Sequence, residues 1–163
     1  MNIFLLDPYS DEHLEKIIVF EKENNCLDKL SSYIEKIRET ISKEDYYDHN
    51  KNEFNGILFT EKNNKITDCC YIYGEKDIKQ CKITPININN KNKRRQLPEL
   101  ATDYAVDKLG MVEIFINVDK DDNNMIMYLE SKGYENIGEV SENILLLKEI
   151  EEKENGQRMI SWI

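Results

Sequence analysis

The chain has 163 residues, 40% of them hydrophobic and 33% charged, and a formal net charge of −10 from 32 acidic and 22 basic side chains. That length supports one domain with a substantial core, and the acidic balance repels nucleic-acid phosphate and anionic membranes while favouring cationic ligands. The opening MNIFLLDPYS lacks a basic n-region and a long enough apolar run for a signal peptide, and no stretch nears the roughly 18–20 apolar residues of a bilayer span, so the expected location is the cytoplasm.

Residues 2–6, NIFLL, read as a short buried strand stopped by Asp7-Pro8. Ser10 is placed to N-cap a helix on which Leu14, Ile17, Ile18 and Phe20 recur at near-helical spacing. Leu27, Leu30, Ile34, Ile37 and Ile41 follow at intervals of three and four, which predicts a second helix with one apolar stripe and a charged outer face. Residues 42–55 carry no apolar period and read as a loop or a ragged helix end. From Gly56 to Ile88 the sequence predicts a meander of three strands with turns at 62–65 and 75–77, where Asn63 and Asn64 tolerate the positive φ of a tight hairpin.

The vicinal Cys69 and Cys70 fall on opposite faces of the middle strand. With Cys26 and Cys81 they read as reduced packing cysteines, since there is no CxxC spacing and only His13 and His49 are available to complete a metal shell; no metal is expected. After the basic run NKNKRR (90–95), a helix carries Leu97, Leu100, Ala101, Tyr104 and Ala105 on one face and stops at Gly110. Val112, Ile114, Ile116 and Val118 alternate in a buried strand; a short helix follows, capped by Asp122 or Asn123 and ended by Gly133. Two last strands are expected around 135–140 and 143–149.

The tail from 151 to 163 is charged and then abruptly apolar, so Ile160, Trp162 and Ile163 either dock on the body, residues 1–150, or meet a second copy in a homodimer. The order of elements predicts an α/β (α+β) domain with a mostly antiparallel sheet of about six to seven strands and about four helices. A helix crossing between 78–88 and 111–118 makes those two strands parallel.

This order, together with YAVDKLGMVEIFINVDKDDNNMIMYLESKGY (104–134), resembles the GNAT-type N-acetyltransferase superfamily; YLESKGY (128–134) looks like its closing Tyr…Gly-Phe phrase. The order is matched over roughly the whole chain, the residues over about 87–134. The resemblance implies an acetyl-CoA co-substrate held where the strand around 78–88 splays from its parallel neighbour. Main-chain groups of Ile83, Thr84 and Ile86 would then meet the pantetheine. Asn89, Asn90, Lys91, Asn92, Lys93, Arg94 and Arg95 would meet the phosphates, and Asn123 would stand near the family's usual Asn.

Physical chemistry supports both features. Pro85 is tolerated in a strand where pairing ends early, and a helix starting near Gln96 leaves its first amides unpaired and receptive to anions. The cluster of basic side chains adds charge for phosphate. The family's loop pattern of Gln or Arg, two residues, Gly, one residue, and Gly or Ala falls on Asn89, Asn92 and Arg94. Asn92 reaches left-handed conformations at some cost, and Arg94 brings bulk where close backbone approach is wanted. The usual tyrosine position falls on Leu129, one residue after Tyr128.

Acetyl transfer to an amine needs a positioned thioester, a base for the ammonium proton and an acid for the leaving thiolate. Tyr128 is the candidate acid. Glu113, which shares with Asn117 the strand face opposite Ile114 and Ile116, is the candidate base; Glu75 and Asp68 are weaker ones. The implied activity is acetyl transfer from acetyl-CoA to a primary amine of a small molecule or protein. The alternative is an inactive GNAT-like domain that binds coenzyme A or a protein partner. A nucleic-acid role for KNKRR is opposed by the net charge and by the lack of interleaved aromatics.

Overall fold

The computed structural model describes residues 2–48, 50–86 and 96–151; the expected phosphate loop, Asn89 to Arg95, and the tail beyond Glu151 lie outside them. In chain order the elements are β1 (Ile3–Leu5), α1 (Asp11–Glu23), α2 (Lys29–Thr40), α3 (Lys43–Tyr46), β2 (Glu53–Lys62), β3 (Lys65–Glu75), β4 (Gln80–Pro85), α4 (Leu97–Leu109), β5 (Glu113–Asp119), α5 (Asn123–Ser131), β6 (Glu135–Val140) and β7 (Asn143–Glu149). They form one seven-stranded sheet in the order β1-β2-β3-β4-β5-β7-β6. β4 and β5 run parallel across the α4 crossover, and every other pairing is antiparallel.

The caps follow local chemistry. Ser10 accepts the His13 amide at 3.2 Å to start α1, and Asp122, not Asn123, accepts the Met125 amide at 3.2 Å to start α5. Asp28 precedes α2 but makes no side-chain cap. Its place is taken by Glu21 of α1, 2% exposed, whose carboxylate accepts the amides of Leu30 at 2.9 Å and Ser31 at 3.2 Å. The β2–β3 hairpin turns through Asn63 (φ 53°) and Asn64 (φ 66°), the positive values expected of these asparagines. Gly110, at φ 71°, terminates α4 in the left-handed conformation that a Cβ would strain.

Two cores lie on the two faces of the sheet. Leu58, Cys70, Ile72, Cys81, Ile83, Ile114 and Ile116 pack toward α4 and α5, while Ile57, Phe59 and Cys69 pack toward α1 and α2 with Ile17, Phe20, Leu30 and Ile34. The vicinal cysteines therefore point opposite ways. The first strand is less buried than its sequence suggests, with Phe4 and Leu5 exposed, because β1 is an edge strand paired with β2 alone. Leu27 is also no part of the α2 stripe; it lies before the helix and is exposed. Within 42–55 the chain forms α3, capped by Ser42 on the Asp45 amide at 3.1 Å, and enters β2 at Glu53.

Candidate functional site

The β4–β5 ladder runs from Gln80↔Glu113 to Ile83↔Ile116 and stops there. Neither strand ends at that point. β4 stays in register with β3 through Thr84↔Tyr71 and Pro85↔Cys70, and β5 with β7 through Asp119↔Asn143. Beyond Ile83 and Ile116 the two parallel strands thus part, each held by its outer neighbour.

Main-chain polar groups of successive strand residues face alternate neighbours. Ile86 donates its amide to the Cys69 carbonyl at 3.1 Å, toward β3, so Pro85, one residue earlier, faces β5. Proline has no N–H, so at that position β4 presents a carbonyl acceptor to the opening and no donor.

The opening holds a cavity of about 180 Å³. Its walls come from both faces of the sheet, as a gap between two strands requires. Lys29 of α2, Tyr71, Thr84 and Asn117 line it on the α1/α2 side, Val118 and Met125 on the α4/α5 side, with Asp119, Asp122 and Asn143 also in the lining. Tyr71 packs edge-on against Tyr33 with ring centroids 5.3 Å apart, and burial, with smaller contributions from neighbouring acidic groups, pushes its hydroxyl up to about 12. At neutral pH it therefore carries its proton. Asp119 accepts the Asp121 amide at 3.0 Å, which fixes one carboxylate oxygen at the β5 terminus.

Of the residues expected at the site, Thr84 and Ile86 line this cavity, whereas Ile83 is fully buried as the last β4 residue paired with β5. Asn123 is the first residue of α5, and its neighbour Asp122 is the one in the cavity wall. Glu113 shares a strand face with Asn117 but sits at the closed end of the pair, where it accepts from Gln80 Nε2 at 3.0 Å. Three residues separate it from Ile116, about 10 Å along the strand. Glu75 is at the same end, in register with Gln80, and Asp68 accepts the Cys69 amide at 2.9 Å.

Tyr128 faces elsewhere. It lines a separate cavity of about 520 Å³ beside the start of α4, where its hydroxyl donates to Glu99. Lys132 pairs with the same carboxylate at 3.6 Å. Leu129, at the position where the family's tyrosine falls, is fully buried in the core. Thus α5 offers the opening Met125 and no hydroxyl. The N-terminus of α4 itself has no side-chain cap at Gln96, and Pro98 removes one amide from its first turn.

Tyr71, Asp119 and Asn143 carry no local motif. The alternation that buries Cys70 and Ile72 puts Tyr71 on the other face, but only its register with Thr84 brings it to the opening. Among the described residues no group of three or more His, Cys, Asp or Glu is arranged to hold a metal ion, and no helix is long and apolar enough to cross a membrane.

This architecture is found in solved structures of GNAT-type N-acetyltransferases. The PaiA N-acetyltransferase of Thermoplasma acidophilum, solved in complex with coenzyme A, superposes with a TM-score of 0.54 at 15% identity, covering 91% of this chain and 99% of that one. Mutant forms of the spermidine/spermine N-acetyltransferase SpeG of Vibrio cholerae match with a TM-score of 0.61 at 13% identity over 97% of both chains. The N-acetyltransferase PseH of Campylobacter jejuni gives 0.59 at 10% identity over 91% and 96%. No protein-family model matches the sequence, and a search of curated proteins finds none similar to it. The chain has the GNAT fold, with a mostly antiparallel seven-stranded sheet that opens between its parallel strands.

Proposed function

We propose that the protein transfers an acetyl group from acetyl-CoA to a primary amine, with the thioester seated in the β4–β5 opening. The observation that carries this reading is the parting of two parallel strands after Ile83 and Ile116 while both outer ladders continue. Main-chain groups that leave a ladder need new partners. A pantetheine arm, with two amides in an extended chain, matches that need, and the Pro85 carbonyl is suited to one of its N–H groups. Asn89 to Arg95 would neutralise the phosphates beside α4.

Tyr71 takes the acid role in this reading, since its protonated hydroxyl lines the cavity. Asp119 and Asp122 supply the negative charge that draws an ammonium and accepts its proton, directly or through water. A second reading is favoured by one observation: α5 presents Met125 to the opening and turns Tyr128 onto Glu99. Under it the domain binds coenzyme A without transferring the acetyl group.

Thermal melts with millimolar acetyl-CoA test the shared claim. A ligand at 100-fold its Kd stabilises by about 2.7 kcal/mol, a rise in Tm of roughly 5–10 °C for a chain of this size. An unchanged Tm rejects both readings. Thiol release from acetyl-CoA across a panel of primary amines, diamines and amine-terminated peptides then separates the enzyme from the silent binder.

A further inference from the structure

β7 finishes at the closed end of the β4–β5 pair, where Glu149 is in register with Glu113 and Ile150 donates its amide to the Val112 carbonyl at 2.7 Å. At this same end, away from the opening, lies a cavity of about 710 Å³. Its apolar wall is built by Leu5, Phe54, Ile72, Tyr73, Tyr104 and Leu109, and Ile150 packs against the same buried core cluster as Phe54, Tyr104 and Leu109. Leu5 and Tyr73 are 43% and 44% exposed at its mouth. The volume is that of a site for a drug-sized ligand or a few apolar side chains.

We infer that residues 159–163 of the same chain, MISWI, fill this cavity. The linker fits. Residues 152–158 can span up to about 25 Å when extended. From β7 the path crosses β5 and β4 to reach β3, three strand spacings in the sheet order, or roughly 14 Å. Charge follows the same path. The start of the tail, Glu151, Glu152 and Glu154 around a single Lys153, would pass the β3–β4 turn with its Lys76 and Lys79. Arg158, just before the apolar stretch, would then meet a border where Asp7, Asp45, Asp48 and Glu53 outnumber Lys51 and Lys76. A tethered segment meets its site at an effective concentration in the millimolar range, so even a weak apolar contact is occupied.

The chain has one tryptophan, Trp162, which makes the test direct. In the full-length protein, docking predicts a blue-shifted Trp162 emission and acrylamide quenching several-fold weaker than for a peptide of residues 152–163. Ile160→Asp, which leaves the body untouched, and Leu5→Lys at the exposed mouth should each return quenching toward the peptide value, with the far-ultraviolet circular dichroism unchanged. Trp162 quenched as readily as the free peptide at every protein concentration would leave the cavity to an outside ligand and overturn the inference. Shielding that tracks self-association in sedimentation would assign the tail to a second copy and overturn it equally. Shielding unmoved by both substitutions would place the tail on another surface.

Discussion

Replacing Glu21 with Ala removes the one acceptor that α1 offers to the start of α2. The carboxylate is 2% exposed and takes the amides of Leu30 and Ser31, which Asp28 leaves uncapped. First-turn amides have no acceptor within their own helix, so the substitution strands the Leu30 donor in the core. Loss of a side-chain cap costs about 1 kcal/mol, and a buried donor without a partner costs about 1–3 kcal/mol. The attraction between carboxylate and helix dipole adds up to about 2 kcal/mol, opposed by the cost of burying the charge. A net loss of about 3 kcal/mol follows, or a fall in Tm of roughly 6–12 °C at about 2–4 °C per kcal/mol. Glu21→Gln keeps a carbonyl acceptor in place and should lose about 1 kcal/mol. If the opening holds coenzyme A, Glu21→Ala should also weaken its binding in titration calorimetry, because Lys29, in the cavity wall, immediately precedes Leu30. Melting by circular dichroism is the primary assay. A Glu21→Ala melt within about 2 °C of the parent, or a Gln variant as damaged as the Ala variant, would refute the capping argument.

The Cβ of Gly74→Ala would fall 2.5 Å from Phe54 Cζ and 2.7 Å from the Gln80 carbonyl oxygen. The ring can swing but the backbone oxygen cannot, so urea denaturation should show a loss of about 1–3 kcal/mol. For Asp7, burial raises the carboxyl, but the Tyr47 hydroxyl, the Tyr9 amide and the nearby His13 and Lys43 together hold it below its ordinary value. A lowered folded-state pKa adds stability above the unfolded value near 3.9 and loses it as pH falls through the folded one. Asp7→Asn should therefore be less stable than the parent at pH 7, and the gap should close with acidification below about pH 4 in melts across pH. If the domain transfers acetyl groups, Tyr71→Phe should lower kcat by about 10²-fold or more and Tyr128→Phe by less than about 2-fold in thiol-release assays. The reverse order would return the acid role to Tyr128.

Elements with strong periodicity were legible from the chain: the α2 stripe from Leu30 to Ile37, the Asn63-Asn64 hairpin, and the alternation of Ile114, Ile116 and Val118. The parallel β4–β5 pair followed from its crossover helix. Height along a strand was not legible, because a period of two assigns a face without saying which end a residue occupies. Glu113 and Asn117 share a face, yet only Asn117 reaches the opening. Tyr128 lies away from the opening for a different reason. One position on a helix is a rotation of about 100°, enough to send Leu129 into the core and Tyr128 toward Glu99. Tyr71 was missed because its place depends on a register between strands. The early start of β2 was missed because Phe54 is the one apolar residue among the three, Glu53 to Asn55, that precede Gly56 in the strand.

The opening is a property of the whole sheet rather than of Pro85. β5 is paired with β7 over all seven of its residues, but with β4 over four. β4 is likewise paired with β3 over its full length, from Gln80 to Pro85. When the right-handed twist of roughly 20–25° per strand separates the parallel pair, each strand follows the neighbour that holds it along more of its length. Pro85 lowers the cost of parting, since no amide is left without a partner on the β5 side. Restoring an amide there, as in Pro85→Ala, would add a donor to the wall of the cavity without closing it, because both outer ladders would still draw the strands apart. A site made this way needs no motif at the strands themselves. It explains how a chain with Asn92 and Arg94 at the family's small-residue positions still has the backbone geometry on which coenzyme binding would depend.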